Sequence, residues 1–442
     1  MMQKILILGA GLSSAYLIKY FLDHAAKENW FITVADANLQ LAQSKVLQHK
    51  SAKAVALDVT RKTELANYIK DADIVVSLLP PALHIEAARE CLHLRKNLVT
   101  ASYITDEMKA LHKQALKADV LFLNEIGLDP GIDHLSAMEM IHDIQNKGGV
   151  VTTFKSYCGG LVAPEFDNNP WNYKFTWNPR NVVLAGQATA KYLEDGLLKF
   201  IPPNRIFTQT EQVIVSGYGK FETYANRDSL SYIEPYGIGS AKTVLRGTLR
   251  KMGYCHAWND LVRLGLTDDS YHVPNSAGLT YRELLCSFLS GANNKNLEVQ
   301  LARFLDISVS GKTFKKIKWL GLFEPNLIGL TEVSPAQILQ HLLQQKWMLQ
   351  KEELDMIVMK HEIGYQWNAK NFKSHSSLVV MGESQKFTAM AKTVGLPMAI
   401  ATKLILKGKI KSRGVQMPLA KEFYVPILKE LSRFGIKFEY RV

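Results

Sequence analysis

Cysteine is scarce in this chain, and the little there is lies scattered. The four residues, Cys91, Cys158, Cys255 and Cys286, form no C-x-x-C pair. That spacing excludes a disulfide framework and a thiolate metal cage; it fits reduced thiols in a cytoplasmic protein. No metal site is expected. Long apolar runs are also missing. The first one, following Lys4, breaks at Gly9 and does not read as a signal peptide. No stretch approaches the ~20 apolar residues of a membrane span, so no membrane partner is expected. Dense basic patches with interleaved aromatics are absent too. The net charge of +12 comes from dispersed Lys and Arg, with only small clusters such as Lys315-Lys316-Ile317-Lys318 and Lys407-Gly408-Lys409-Ile410-Lys411. This argues against nucleic acid as a partner, and an anionic small substrate remains a use for the positive field. There is no internal repeat and no low-complexity segment. With 47% apolar and 21% charged residues, the composition is that of an ordinary globular protein. At 442 residues it is too long for a single core.

What is present begins at the N-terminus. Ile5-Leu6-Ile7-Leu8 runs into Gly9-Ala10-Gly11 and then into helix-forming residues, and the next apolar run, 30–35, ends at Asp36. This is the layout of a dinucleotide-binding βαβ unit. Gly9 suits the tight turn, and Gly11 lets a pyrophosphate approach the start of the following helix. Asp36, at the tip of the second strand, can accept hydrogen bonds from both adenosine ribose hydroxyls. The third glycine of the fingerprint is replaced by Ser14, which is tolerable because that position serves helix–sheet packing.

Strand-like runs recur at 4–8, 31–35, 54–57, 74–78, 97–100 and 120–123, separated by segments of helical period. Alternation of this kind implies a parallel sheet with helices on both faces, and a ligand at the carboxyl ends of the strands. We therefore expect an α/β fold, with a Rossmann domain over 1–129. A substrate and dimerisation domain follows over 130–257, then a helical insertion over 258–330, the rest of the substrate domain over 331–394, and a C-terminal segment, 395–442, that returns to the Rossmann domain. Helices are expected at 135–145 and 335–350, the latter capped by Ser334, and a strand at 355–361. Arg246 and Arg250, four apart, would share one face of a helix.

The blocks that follow resemble one family. Asn124-Glu125-Ile126-Gly127-Leu128-Asp129-Pro130-Gly131-Ile132-Asp133-His134 is similar to the signature of saccharopine dehydrogenases of the glutamate-forming type. So are Ser156-Tyr157-Cys158-Gly159-Gly160-Leu161, Tyr173-Lys174-Phe175, Asn226-Arg227-Asp228-Ser229 and Arg246-Gly247-Thr248-Leu249-Arg250, together with Ala391-Lys392-Thr393-Val394-Gly395-Leu396-Pro397. The resemblance runs from end to end. It implies a reversible interconversion of saccharopine with glutamate and 2-aminoadipate 6-semialdehyde, using NAD or NADP, in an enzyme that forms a homodimer. It also implies substrate contacts at Ser102, Tyr103, Asp129, Arg227, Thr248, Leu249 and Arg250. The dinucleotide contacts it implies are Ala10, Gly11, Leu12, Ser13, Asp58, Val59, Leu78, Ala101, Ser102, Leu128, Asp129, Pro130 and Thr176, which join Gly9 and Asp36.

Chemistry supports that reading. Saccharopine carries three carboxylates and two amines, and Arg227 and Arg250 can each clamp a carboxylate in bidentate fashion. Asp129 can receive an ammonium group and is our candidate for proton transfer; Tyr103, Cys158 and His134 are the other groups considered. His134 reads as structural, Cys158 as a wall residue, and Arg246 as a surface ion pair worth little. Relatives that use the phosphorylated cofactor have an arginine just after the second strand. Here the stretch reads Val34-Ala35-Asp36-Ala37-Asn38-Leu39, with no cation before Lys45. NAD is therefore expected in preference to NADP. Two rival readings are a carboxylated-polyamine dehydrogenase of related fold, which needs more acids and fewer arginines, and a non-catalytic dinucleotide sensor.

Overall fold

The computed structural model describes residues 2–441, which divide into two compact units. The first comprises the residues up to Val150 together with Gln366–Lys370 and Leu378–Arg441; the second comprises Val151–Tyr365 and Asn371–Ser377.

In the first unit, strands and helices alternate: β1 (Gln3–Leu8), α1 (Ala15–Glu28), β2 (Trp30–Asp36), α2 (Leu39–Val46), β3 (Ala52–Ala56), α3 (Lys62–Asp71), β4 (Ile74–Ser77), α4 (His84–His93) and β5 (Asn97–Thr100). There follow α5 (Asp106–Ala110), α6 (His112–Lys117), β6 (Leu121–Leu123) and α7 (Ile132–Asn146). The strands are short and almost wholly apolar because both faces of a parallel sheet are covered. Leu6, Leu8, Val75, Leu98 and Phe122 pack on one face with Leu65, Ile69, Ala87, Cys91 and Met108 from the helices. Local caps set the helix starts: Asn38 accepts the Leu41 N–H at 3.2 Å, and Thr105 accepts that of Met108 at 3.2 Å.

The second unit is built on a mixed sheet. Its strands are β7 (Val150–Val162), β8 (Ala190–Glu194), β9 (Leu197–Ile201), β10 (Thr210–Val215), β11 (Gly219–Ala225) and β12 (Thr243–Lys251), and helix α8 (Pro179–Val183) lies between β7 and β8. Helices α9 (Tyr254–Arg263), α10 (Tyr281–Ser287), α11 (Leu297–Leu305), α12 (Lys312–Trp319) and α13 (Pro335–Trp347) follow, and then the long strands β13 (Asp355–Trp367) and β14 (Lys370–Met381). The strand order is β10-β11-β12-β7-β13-β14, with the β8–β9 hairpin joined to β12. Ser334 begins α13 with a capping box to Gln337, and Pro335 occupies the first helical position.

The chain then rejoins the first unit through α14 (Ala389–Leu406), β15 (Gly414–Gln416), α15 (Lys421–Leu431) and β16 (Glu439–Arg441). Strand β15 pairs in parallel with β6 and completes a seven-stranded sheet of order β15-β6-β5-β4-β1-β2-β3. This is the Rossmann order with one strand added at the β6 edge.

Two expectations need correction. Arg246 and Arg250 lie on strand β12, not on a helix. Their spacing of four suits either element, since alternate residues of a strand also share a face. Secondly, α14 is long and apolar enough to cross a membrane by length and composition, although no such stretch was expected. It is apolar around most of its circumference because it is largely buried in the first unit, against α1 and the β4–β5 region of the sheet.

Candidate functional site

The carboxyl edge of the first sheet gathers most of the expected residues. Gly9 follows β1 with φ +99°, and a Cβ there would lie 2.9 Å from the Leu78 carbonyl oxygen, so no other residue fits. Gly11 is different. A Cβ there would meet nothing within 4 Å, so no protein atom accounts for its smallness. Leu12, Ser13 and Ser14 form a single 3₁₀ turn ahead of α1, so the loop leads into that turn and not directly into an α-helical N-terminus. Leu12 is 58% exposed and Ser13 half-buried, whereas Ser14 is fully buried, its hydroxyl donating to the Gly11 carbonyl at 2.8 Å. The close approach at this helix is met from the opposite side. A Cβ on Gly395 of α14 would sit 2.8 Å from the Leu17 nitrogen.

Asp36 ends β2 and braces the loop. Its Oδ2 accepts the Ala10 N–H at 2.8 Å and its Oδ1 that of Asn38 at 2.8 Å. Asp58 follows β3, is exposed, and accepts the Thr60 N–H and hydroxyl at 3.0 and 2.7 Å. The Thr60 hydroxyl and N–H hold its carboxyl below the ordinary carboxylate range, and Arg61 adds to this. Val59 beside it is buried. Leu78 follows β4, half-buried, with its N–H on the Leu8 carbonyl at 2.8 Å. Ala101, Ser102 and Tyr103 follow β5 and are half-buried.

After β6 the chain makes a tight loop. The Gly127 N–H donates to the Pro130 carbonyl and the Ile132 N–H to that of Gly127, both at 2.9 Å. Gly131 has φ +149°, and a Cβ on it would fall 2.1 Å from the Gly127 carbonyl oxygen; one on Gly127 would strike the Ala101 side chain at 2.7 Å. The two glycines thus hold Leu128, Asp129 and the cis-bonded Pro130 closely against the end of β5. Asp133, buried in the first turn of α7, accepts the Gly131 N–H at 2.5 Å. His134, expected to be structural, is completely buried and lies 2.9 Å from Glu125 Oε2, while Glu125 Oε1 accepts the Ile104 N–H at 3.0 Å. Glu125 and His134 therefore tie the Asp129 loop to the segment carrying Ser102 and Tyr103.

His84 was not foreseen. It opens α4, is almost wholly buried, and contacts Ser77 at 2.8 Å, Thr100 at 3.4 Å and Ser102 at 2.6 Å. Burial pushes its pKa down to about 4. The signal available in the sequence was a set of hydroxyls at the ends of apolar strands.

In the second unit, Thr248 and Arg250 alternate on one face of β12, with Arg246 on the same face. Leu249 is fully buried on the other, its carbonyl close behind Gly159. Arg250 is 4% exposed, its guanidinium 5.0 Å from the ring centre of Tyr173, 5.3 Å from Tyr254 and 5.7 Å from Tyr224. It donates to the Leu249 carbonyl at 2.9 Å and the Tyr224 hydroxyl at 3.4 Å, but its Nε has no partner. No carboxylate pairs with it among the described residues. Burial pushes the three phenols up, and the Arg250 charge draws them back. Arg246 corrects the expectation of a surface ion pair: it is buried, 4.4 Å from the Tyr232 ring centre. Arg227 is exposed in the turn after β11, with φ +46°. Thr176 is buried with its hydroxyl unpartnered, and Cys158 is buried on β7. The tyrosine cage has no signal along the chain, because its members come from a loop, a strand and a helix.

Fold and sites together define a Rossmann dinucleotide-binding protein with a second α/β unit that carries a buried, uncompensated arginine. Comparison with known proteins narrows this. Residues 5–123 match the saccharopine dehydrogenase NADP binding domain and residues 127–436 the saccharopine dehydrogenase C-terminal domain. The chain is 35% identical to the saccharopine dehydrogenase [NADP(+), L-glutamate-forming] of Saccharomyces cerevisiae, covering 98% of each protein. It is also 35% identical to the mitochondrial alpha-aminoadipic semialdehyde synthase of Mus musculus, but covers 47% of that protein. The chain thus spans about half the length of the semialdehyde synthases it matches. The apo saccharopine dehydrogenase (L-Glu forming) structure from S. cerevisiae superposes with a TM-score of 0.89 at 33% identity, over 99% of both chains. The chain belongs to the saccharopine dehydrogenase family.

Proposed function

We propose that the chain catalyses the reversible interconversion of saccharopine with glutamate and 2-aminoadipate 6-semialdehyde, coupled to a nicotinamide dinucleotide. The observation that carries this is Arg250. A buried guanidinium without a carboxylate partner is costly, and a ligand carboxylate would compensate it. The carboxylated-polyamine alternative, with fewer carboxylates on its substrate, has less use for such a residue.

In this reading the Gly9–Ser13 loop holds the pyrophosphate, which fits the open space at Gly11, and Asp36 takes the ribose. When bound, the dinucleotide supplies or accepts the hydride. The protein's own work is to bind and orient the substrate. Arg250 and Arg227 bind carboxylates, Thr248 adds a hydroxyl, and Ser102 and Tyr103 present polar groups. Asp129, fixed by the Gly127–Gly131 loop, takes the substrate ammonium and handles the proton.

The relatives' names specify NADP(+), whereas the end of β2 in this chain argues for NAD. A carboxylate at Asp36 repels a 2′-phosphate, and Ala37 stands where a cation would be needed. The test is a steady-state assay with saccharopine and each oxidised cofactor, identifying the products and repeating it with Arg250→Lys and Arg250→Ala. Glutamate and semialdehyde as products, with KM for saccharopine raised at least about 100-fold in both variants, support the reading. No turnover of saccharopine with either cofactor overturns it.

A further inference from the structure

We propose that His84 is a positioning residue: its protonated Nε2 fixes the Ser102 hydroxyl as a hydrogen-bond donor toward an oxygen of the bound ligand. The inference rests on the reading of Ser102 as a ligand contact.

Ser77, at the end of β4, is fully buried, and its hydroxyl has His84 Nδ1, at 2.8 Å, as its hydrogen-bond partner among the described residues. Thr100, at the end of β5, is also buried. Its hydroxyl oxygen accepts the Ser102 N–H at 3.2 Å and lies 3.4 Å from the same Nδ1. The buried Ser77 hydroxyl must place its proton on an acceptor, and Nδ1, whose single lone pair takes one donor, is 2.8 Å from Ser77 against 3.4 Å from Thr100. If Nδ1 carried a proton, the buried Ser77 proton would be stranded. Nδ1 therefore accepts, and in a neutral imidazole the proton resides on Nε2.

Burial disfavours the doubly protonated ring at neutral pH. Nε2–H then donates to Ser102 Oγ, 2.6 Å away. With His84 as donor, Ser102 cannot send its proton back along that contact. Ser102 is half-buried, unlike Ser77 and Thr100, so its O–H is available to a ligand at the carboxyl edge of the sheet. The opposite tautomer would make Ser102 present only lone pairs and select an ammonium or amide N–H. The network instead selects an oxygen acceptor, either a substrate carboxylate or the carboxamide oxygen of the nicotinamide.

The direct test needs no activity. Protein labelled with ¹⁵N-histidine is examined by long-range ¹H–¹⁵N correlation, with the His84 signals identified by their loss in His84→Gln. The expected result is an unprotonated Nδ1 and a protonated Nε2 at neutral pH. The reverse pattern overturns the proposal whatever the enzyme acts on. The functional arm compares His84→Leu, His84→Gln, Ser102→Ala and the double variant His84→Leu/Ser102→Ala, using kcat/KM for saccharopine and fluorescence titration with the reduced cofactors.

Leu and Ala should each cost about 10-fold, and the double variant no more than either alone, because one hydrogen bond is shared. Gln, whose amide N–H can still donate to Ser102, should recover most of the loss. Weakened cofactor binding would identify the carboxamide as acceptor, and a raised saccharopine KM the carboxylate. Additive losses, with Gln as impaired as Leu, would mean that His84 only packs and would overturn the proposal.

Discussion

Removing the charge at Asp36 should move the cofactor preference of this enzyme measurably toward NADP. The carboxylate has two functions that a single substitution can separate. It braces the glycine loop through the Ala10 and Asn38 N–H groups, both at 2.8 Å. It also holds a negative charge at the end of β2, where a 2′-phosphate would arrive. At about 5 Å, a unit charge and a doubly charged phosphate repel by roughly 2 kcal/mol in water and about three to four times that at an effective dielectric of 20. Asp36 is half-buried and solvent screens it, so the lower figure governs. Asp36→Asn should therefore raise the NADP/NAD ratio of kcat/KM by roughly 10- to 30-fold. The amide keeps one acceptor oxygen but loses the other, so binding of both cofactors should weaken together by up to about 10-fold, at a cost of about 1 kcal/mol in stability. The ratio reports the charge, and the common loss reports the brace. Raising the salt concentration should shrink the wild-type discrimination. A wild-type enzyme that already prefers NADP, or a ratio unmoved in Asp36→Asn, would refute the reasoning.

Other consequences follow from the loops and the buried ionisable groups. Gly131→Ala places a Cβ 2.1 Å from a backbone oxygen at φ +149°, so it should cost about 3 kcal/mol or more, seen as a lower Tm with loss of activity. An unchanged melting curve would mean that the loop is not held as described. Asp129→Asn should lower kcat strongly while leaving the dissociation constant of the cofactor intact, and an unchanged rate would remove Asp129 from any chemical role.

The acid limb of stability should have two steps. The folded pKa of His84, about 4, lies below an unfolded value near 6.5. The unfolded chain thus binds more protons between them, and stability falls by about 3 kcal/mol as pH drops through that window. His84→Gln should flatten this step in pH-dependent urea unfolding. At lower pH comes Glu422. Burial raises its pKa, but the N–H groups of Lys411 and Ser412 and the Ser412 hydroxyl lower it further, so its contribution is complete above about pH 4.3 and is lost below. Glu422→Gln should shrink that second step without abolishing it, because Glu353, Glu383 and Asp269, whose pKa values are also lowered, are lost in the same range.

The parts of this molecule that could be read from its sequence are those written by periodic burial. Strands β1 to β6 stand out as short apolar runs because helices cover both faces of a parallel sheet. Strand β15 does not: three residues, Gly414–Gln416, carry no period, and their partner in β6 lies some 290 residues away in sequence. The arginines of β12 illustrate a second limit. A spacing of four is shared by one face of a helix and one face of a strand, and only pairing with β7 and β11 decides between them.

Residues proposed for the candidate site stand out in the sequence where their type is chemically distinctive, as with Gly11, Asp36 and Arg250. The site was illegible where polar groups meet across strand ends. His84 reads as one residue of an amphipathic helix until Ser77, Thr100 and Ser102, from the ends of two other strands, converge on its ring. The fingerprint shows the same logic. Its third glycine is missing at Ser14, yet a close backbone approach at the start of α1 still takes a glycine, Gly395, from a helix nearly four hundred residues away. That contact is between two helices, α14 and α1, and not between α1 and the sheet, so it is a separate close approach that a motif read along one segment cannot find.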